Sequence, residues 1–313
     1  MYLVSQNQQL QFITNLAKLF LKENKIDEAI KCLEIGSKCG YQDSIIELAT
    51  MYMNGNCVEK DIKKAKNYFK LLSNKYNSYI AQYQLGMIYN EEKKYLKSLK
   101  YFELSGNQEY PDALMKIGII YRDGLGVKRN PKKTYESFEK AAKLGRGDAF
   151  FYLGVFCQDG FGTTKNNDRA IRYYKISASY GIEEAMNNLG LYYAKNDQIE
   201  LAKYYWGNTN NAKSQYNLGV IYCNEGKYLK AKEMFEKAAE QGHTDSLVSI
   251  GKLYLYGDGV EEDIDIALDY IIRAARLHNP TANRIINDTL NDFVEYEERT
   301  NRIIKKESSK RQT

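Results

Sequence analysis

The sequence predicts an all-α protein, a stack of antiparallel helix pairs, and three observations predict it. A glycine or a stand-in for it recurs at Ala49, Gly86, Gly118, Gly154, Gly190, Gly219, Gly251 and Asn287, at intervals of 37, 32, 36, 36, 29, 32 and 36 residues. Periods in that range mark supersecondary units too small to bury their own apolar faces alone. Apolar residues around each glycine keep three- and four-residue spacing, as in Ala113, Ile117 and Tyr121 or Ala185, Leu189 and Tyr193, which is one buried helical stripe. The prolines, Pro111, Pro131 and Pro280, all fall between candidate helices, leaving helix interiors free of a residue that removes a backbone donor.

Residues 1–41 read as an N-terminal capping helix pair. Leu10, Ile13, Leu16, Ala17 and Phe20 keep helical spacing, and the start lacks the basic segment and unbroken apolar run of a secretory signal. Residues 42–279 are the repeat array, about seven units. Its clearest copies cover 112–145, 148–181 and 245–278, each reading as helix, glycine-rich turn, helix, turn. An acidic residue opens the first helix at Asp43, Asp112, Asp148, Glu184 and Asp245. It is expected to accept a bond from an unpaired backbone N–H and to face the positive helix end.

The mid-helix glycine costs about 1 kcal/mol relative to Ala. Close approach of the second helix explains that cost. The turns at 123–127, 159–162 and 257–260 use glycine for left-handed backbone. The second helix brings small and aromatic residues to the contact, such as Ala141, Ala170, Tyr174 and Phe235. Much of the tyrosine, 28 residues in all, is thereby assigned to packing.

The units centred on Gly86 and Gly219 lack the glycine turn, which accounts for their shorter period. After Trp206 the segment 207–211 shortens a unit to 29 residues, so a truncated second helix is expected there. Residues 280–306 read as a long C-terminal capping helix and 307–313 as a basic disordered tail.

Hydrophobic residues are 43% of the chain and charged residues 27%. That balance suits a folded soluble protein, and no stretch approaches the roughly 18 apolar residues that span a bilayer. The net charge of +5 equals that of residues 299–313, so residues 1–298 sum to zero. The body reads as neutral and the tail as basic, and the alternative reading of such a tail is a tether for nucleic acid or anionic lipid. The five cysteines read as reduced thiols, which places the protein in the cytoplasm or another reducing compartment.

Catalytic chemistry is sparsely represented. The two histidines, His243 and His278, lie in turns about 35 residues apart, and no Cys/His set has metal-ligand spacing. No nucleophile triad, phosphate loop or dinucleotide fingerprint is present. The expectation is no catalytic residue, no metal, no cofactor and no small-molecule substrate; the sequence leaves the oligomeric state open.

The units resemble Sel1-like repeats, a family related to tetratricopeptide repeats, most strongly over 113–181 and 246–275. The resemblance implies a right-handed α-solenoid that holds other proteins as an adaptor or scaffold. One cysteine-rich secreted branch of the family is associated with β-lactam binding or hydrolysis; it pairs two cysteines within each repeat, a pattern missing here. By analogy with tetratricopeptide units, the first helices line a concave groove. The positions three before, one after and four after the glycine then select Tyr83, Met87, Met115, Ile119, Arg122, Phe151, Val155, Asn187, Leu191, Tyr216, Val220 and Lys252 as protein-binding residues. So apolar a row favours an extended peptide or amphipathic helix and disfavours nucleic acid.

Overall fold

The computed structural model describes residues 6–291, and every element in them is an α-helix. The chain divides into two units, residues 1–180 and 181–313. Unit 1 holds α1 (Gln6–Lys22), α2 (Ile26–Lys38), α3 (Gln42–Asn54), α4 (Ile62–Tyr76), α5 (Tyr79–Glu91), α6 (Tyr95–Gly106), α7 (Pro111–Asp123), α8 (Pro131–Lys143), α9 (Gly147–Asp159) and α10 (Asn167–Ser179). Unit 2 holds α11 (Glu183–Lys195), α12 (Ile199–Gly207), α13 (Ala212–Asn224), α14 (Tyr228–Glu240), α15 (Thr244–Tyr256), α16 (Ile264–Arg276) and α17, helical over 280–291. Within each unit, odd and even helices pair, and each pair packs on the next. The remainder of the expected closing helix and the basic tail lie outside the described residues.

The mid-helix glycine has the steric role expected of it. A Cβ on Gly86 would lie 2.5 Å from the ring of Phe102, on Gly118 2.6 Å from Phe138, and on Gly219 2.6 Å from Phe235. Tyr174 covers Gly154 and Trp206 covers Gly190 in the same way. A ring from the second helix thus packs close on the first helix at the glycine, a fit that a methyl group would abolish. Ala49 stands at this position in α3 and shares a core with Phe69. A Cβ on Gly251 would meet the Ala267 carbonyl oxygen at 3.0 Å and Ile271, an aliphatic side chain, at 3.1 Å.

Four turns carry two left-handed residues each. The first, Gly55, Gly124, Gly160 or Gly257, ends the first helix at φ between 67° and 76°. The second, Gly126, Gly162 or Gly259, abuts the start of the preceding pair's second helix, at Tyr95, Pro131 and Tyr228. In the first of the four turns Cys57 fills this place at φ 62°. Each turn then delivers a capping residue: Asp61, Asn130, Asn166 and Asp263 accept from the backbone N–H of the third residue on, at 2.9–3.0 Å.

The acidic row of the first helices behaves differently from expectation. Asp43, Asp112, Asp148, Glu184 and Asp245 occupy the second helical position, and the caps are Tyr41, Tyr110, Arg146, Ile182 and His243, whose side chains make no capping bond. From inside the first turn these carboxylates still face the helix's positive end. Two of them also pair with Arg146, which joins Asp112 of α7 to Asp148 of α9. Asp245 instead accepts from Asn279 at 2.8 Å.

The truncation near Trp206 is present: α12 has 9 residues where its counterparts α8, α10, α14 and α16 have 13.

Candidate functional site

The first helices carry the residues expected to bind a partner, and their three rows have separate fates. The row three before the glycine faces inward. Met115 is 6% exposed and Asn187 9% exposed, and Val248 at the same position is also buried. Asn187 is wired into the core of unit 2: its Oδ1 accepts from Ser214 Oγ at 3.2 Å and Asn217 Nδ2 at 3.5 Å, and its carbonyl accepts from Trp206 Nε1 at 3.2 Å. Met115 and Asn187 are therefore packing residues, a correction to the expected contact set. Three before the glycine is nearly one helical turn, so the side chain shares the glycine's packed face.

The other members of this row are half-buried by rings. Tyr83 lies 5.6 Å from Phe102 and 5.2 Å from Tyr110, centroid to centroid. Burial, with a hydrogen bond to Asp112, pushes the Tyr110 phenol up to about 12. Phe151 packs on Tyr152 and Tyr174, and Tyr216 on Phe235 and on His243 at 4.6 Å. Burial lowers the His243 pKa below the ordinary imidazole value, and its Nδ1 lies 3.0 Å from Ser246 Oγ.

The row one after the glycine stays accessible. Met87, Ile119 and Val155 in unit 1 and Val220 in unit 2 are half-buried; Leu191 is 47% exposed and Lys252 exposed. Tyr192 beside Leu191, which the spacing rule passed over, is exposed too. Four after the glycine, Arg122 is half-buried and donates to Asp123 at 2.7 Å, a bond that raises its pKa.

All five cysteines are free thiols, with Cys157 buried and Cys39 and Cys57 exposed. Among the described residues no three His, Cys, Asp or Glu side chains converge as metal ligands would, and no helix is long and apolar enough to cross a membrane.

A family model described as Sel1 repeat matches residues 42–77, 80–110, 111–145, 148–181, 183–206 and 244–279, together more than half of the chain. The chain belongs to the Sel1 repeat family. A tetratricopeptide repeat model matches residues 212–241, one of the units whose glycine turn is trimmed. Among solved structures the chain is similar to a protective antigen of uropathogenic Escherichia coli strains that displays an SLR fold, with 25% identity and a TM-score of 0.77 over 89% of this chain and 66% of that one. It thus spans just under two thirds of that relative. A Sel1 repeat protein from Oxalobacter formigenes is 24% identical, with a TM-score of 0.73 over 91% of this chain and 87% of that one. These likenesses bear out the all-α solenoid of paired antiparallel helices.

Proposed function

We propose that this Sel1 repeat protein is a non-catalytic adaptor or scaffold that docks a partner protein on the exposed face of its first helices. Sel1 repeats generally mediate protein interactions. The observation that carries the reading is the row one after the glycine, where Met87, Ile119 and Val155 keep partly exposed apolar side chains on three consecutive first helices. A recurring apolar strip of this kind suits an extended peptide or an amphipathic helix. The five free thiols support a reducing compartment such as the cytoplasm as the place of action.

Affinity capture with the wild type and with Met87→Glu plus Val155→Glu tests the reading. Both side chains are partly exposed, so the double variant is expected to stay helical while losing its partners. Recovery of the same partners from both proteins would sink the proposal. Met115→Glu and Phe151→Glu are unsuitable, because both reach into packed aromatic or buried surroundings.

A further inference from the structure

Residues 1–180 carry 28 Lys and Arg against 19 Asp and Glu, a net +9, while residues 181–298 carry 11 against 20, a net −9. The neutrality of the body is a cancellation between opposite halves. Much of the positive excess forms two rows in register with the repeat. Counting back from the side chain that covers each mid-helix position, the ninth residue is Lys60, Lys93, Arg129 and Lys165, and the fifth is Lys64, Lys97, Lys133 and Arg169. In unit 2 the ninth is Asp197, Gly226 and Glu262, and the fifth is Leu201, Lys230 and Ile266.

The backbone holds the first row in place. The side-chain stems of Lys60, Arg129 and Lys165 pack on the left-handed glycines Gly55, Gly124 and Gly160, and Lys93 in the trimmed turn is itself left-handed at φ 57°. Aromatic rings hold the second row. Lys64 Nζ lies 4.8 Å from the centre of Tyr52, Lys97 Nζ 5.9 Å from Tyr89, Lys133 Nζ 4.7 Å from Tyr121 and Arg169 Cζ 6.0 Å from Tyr173. All but Arg169 are exposed, and among the described residues only Lys64 of the eight has a carboxylate partner, Asp61 at 4.0 Å. Two depressions open beside the rows. One of about 390 Å³ is lined by Lys93, Lys94, Tyr95, Leu96, Lys97 and Gly126, with Leu96 65% exposed; another of about 610 Å³ sets Ile26, Ile30, Val58 and Ile62 among cations, Lys60 and Lys64, and acids, Asp27, Glu59 and Asp61.

We propose that this turn edge of unit 1 docks an extended acidic segment of a partner protein, one that carries apolar side chains between its carboxylates. The pre-positioned cations meet the carboxylates, and the depressions take the apolar side chains. Nucleic acid fits less well. Asp61, Glu92, Asp123 and Asp159 interrupt the edge, which admits a segment whose carboxylates are spaced apart by apolar side chains but opposes a continuous run of phosphates. The tyrosine faces are covered by the row's own cations and offer no platform for stacking bases. This edge is separate from the first-helix face, and neither proposal depends on the other.

The test uses the full chain and fluorescence anisotropy of a labelled peptide made of Glu and Asp with Leu at every third position. The probe is expected to bind, to weaken as salt shortens the Debye length below about 10 Å, and to lose about tenfold or more in affinity on Lys60→Glu, Lys93→Glu, Arg129→Glu and Lys165→Glu combined. A control variant with the same change in charge, Lys31→Glu, Lys38→Glu, Lys100→Glu and Lys140→Glu, is expected to lose much less. Circular dichroism checks that both stay helical, and the corresponding Gln variants replace them if either does not. Equal losses in row and control variants would overturn the proposal, as would equal binding of a Gln and Asn version of the peptide. So would row-dependent binding of single-stranded DNA without the peptide, or sedimentation showing that the rows drive self-association while the peptide stays free.

Discussion

Gly154 and Tyr174 pack so closely that a Cβ on the glycine would come 2.5 Å from the tyrosine ring. Gly154→Ala is therefore expected to destabilise the protein by about 1–3 kcal/mol, against a helix-propensity gain of about 1 kcal/mol. Tyr174→Leu in the same chain is expected to recover part of the loss. Gly251→Ala, facing Ala267 O at 3.0 Å and Ile271 Cγ1 at 3.1 Å, is expected to cost less. Urea denaturation followed by circular dichroism ranks the variants, and equal costs at both sites would refute the ring-on-backbone account.

Cys57 holds φ 62° where Gly126, Gly162 and Gly259 serve in the sister turns. A side chain in that region is strained by about 1–2 kcal/mol, partly offset by glycine's greater entropy loss on folding. Cys57→Gly is expected to raise stability by up to about 1 kcal/mol. An unchanged or lower melting temperature would count against this.

Asn187 separates the packing reading from the binding one. Asn187→Ala leaves Ser214 Oγ without this acceptor inside unit 2. A loss of about 1–3 kcal/mol is expected, read from the fluorescence of Trp206, the chain's one tryptophan. A contact residue on the surface would leave the unfolding midpoint where it is.

His243 makes stability depend on pH. Its folded pKa is depressed by burial, so the unfolded chain binds the proton more readily. Its contribution is intact above the unfolded value, about 6.5, and is lost as pH falls through the lower folded one. Unfolding free energy is expected to drop between neutral and mildly acidic pH, and His243→Gln is expected to flatten that part of the curve. A slope the variant leaves unchanged would assign the effect elsewhere.

The repeat, the trimmed turns after Gly86 and Gly219 and the short α12 are legible in the glycine spacing, which records backbone contact directly; the trimmed turn between α11 and α12 is not, because the shorter helix after it hides the same loss in one interval. The capping role of the first-helix acids was misjudged by two positions, since sequence alone does not say where helical φ and ψ begin. Met115 and Asn187 were misplaced for a related reason: a rule borrowed from tetratricopeptide units assigns the third position to the groove, whereas here it shares the glycine's packed side. The charged rows leave no trace in the net charge of residues 1–298, where +9 cancels −9. Only the covering ring, located in the structure, supplies the register that aligns Lys60 with Lys93, Arg129 and Lys165.

From the mid-helix glycine to its covering residue the chain takes 20 steps at Gly118, Gly154 and Gly251 but 16 at Gly86, Gly190 and Gly219. The difference of four lies wholly in the connecting turn, and the contact between glycine and covering residue is kept. Core and rim are thus set separately within one chain. A turn can be lengthened, trimmed or recharged while the interior stays in register, so the chemistry of the edge can change at little expense to the architecture that displays it.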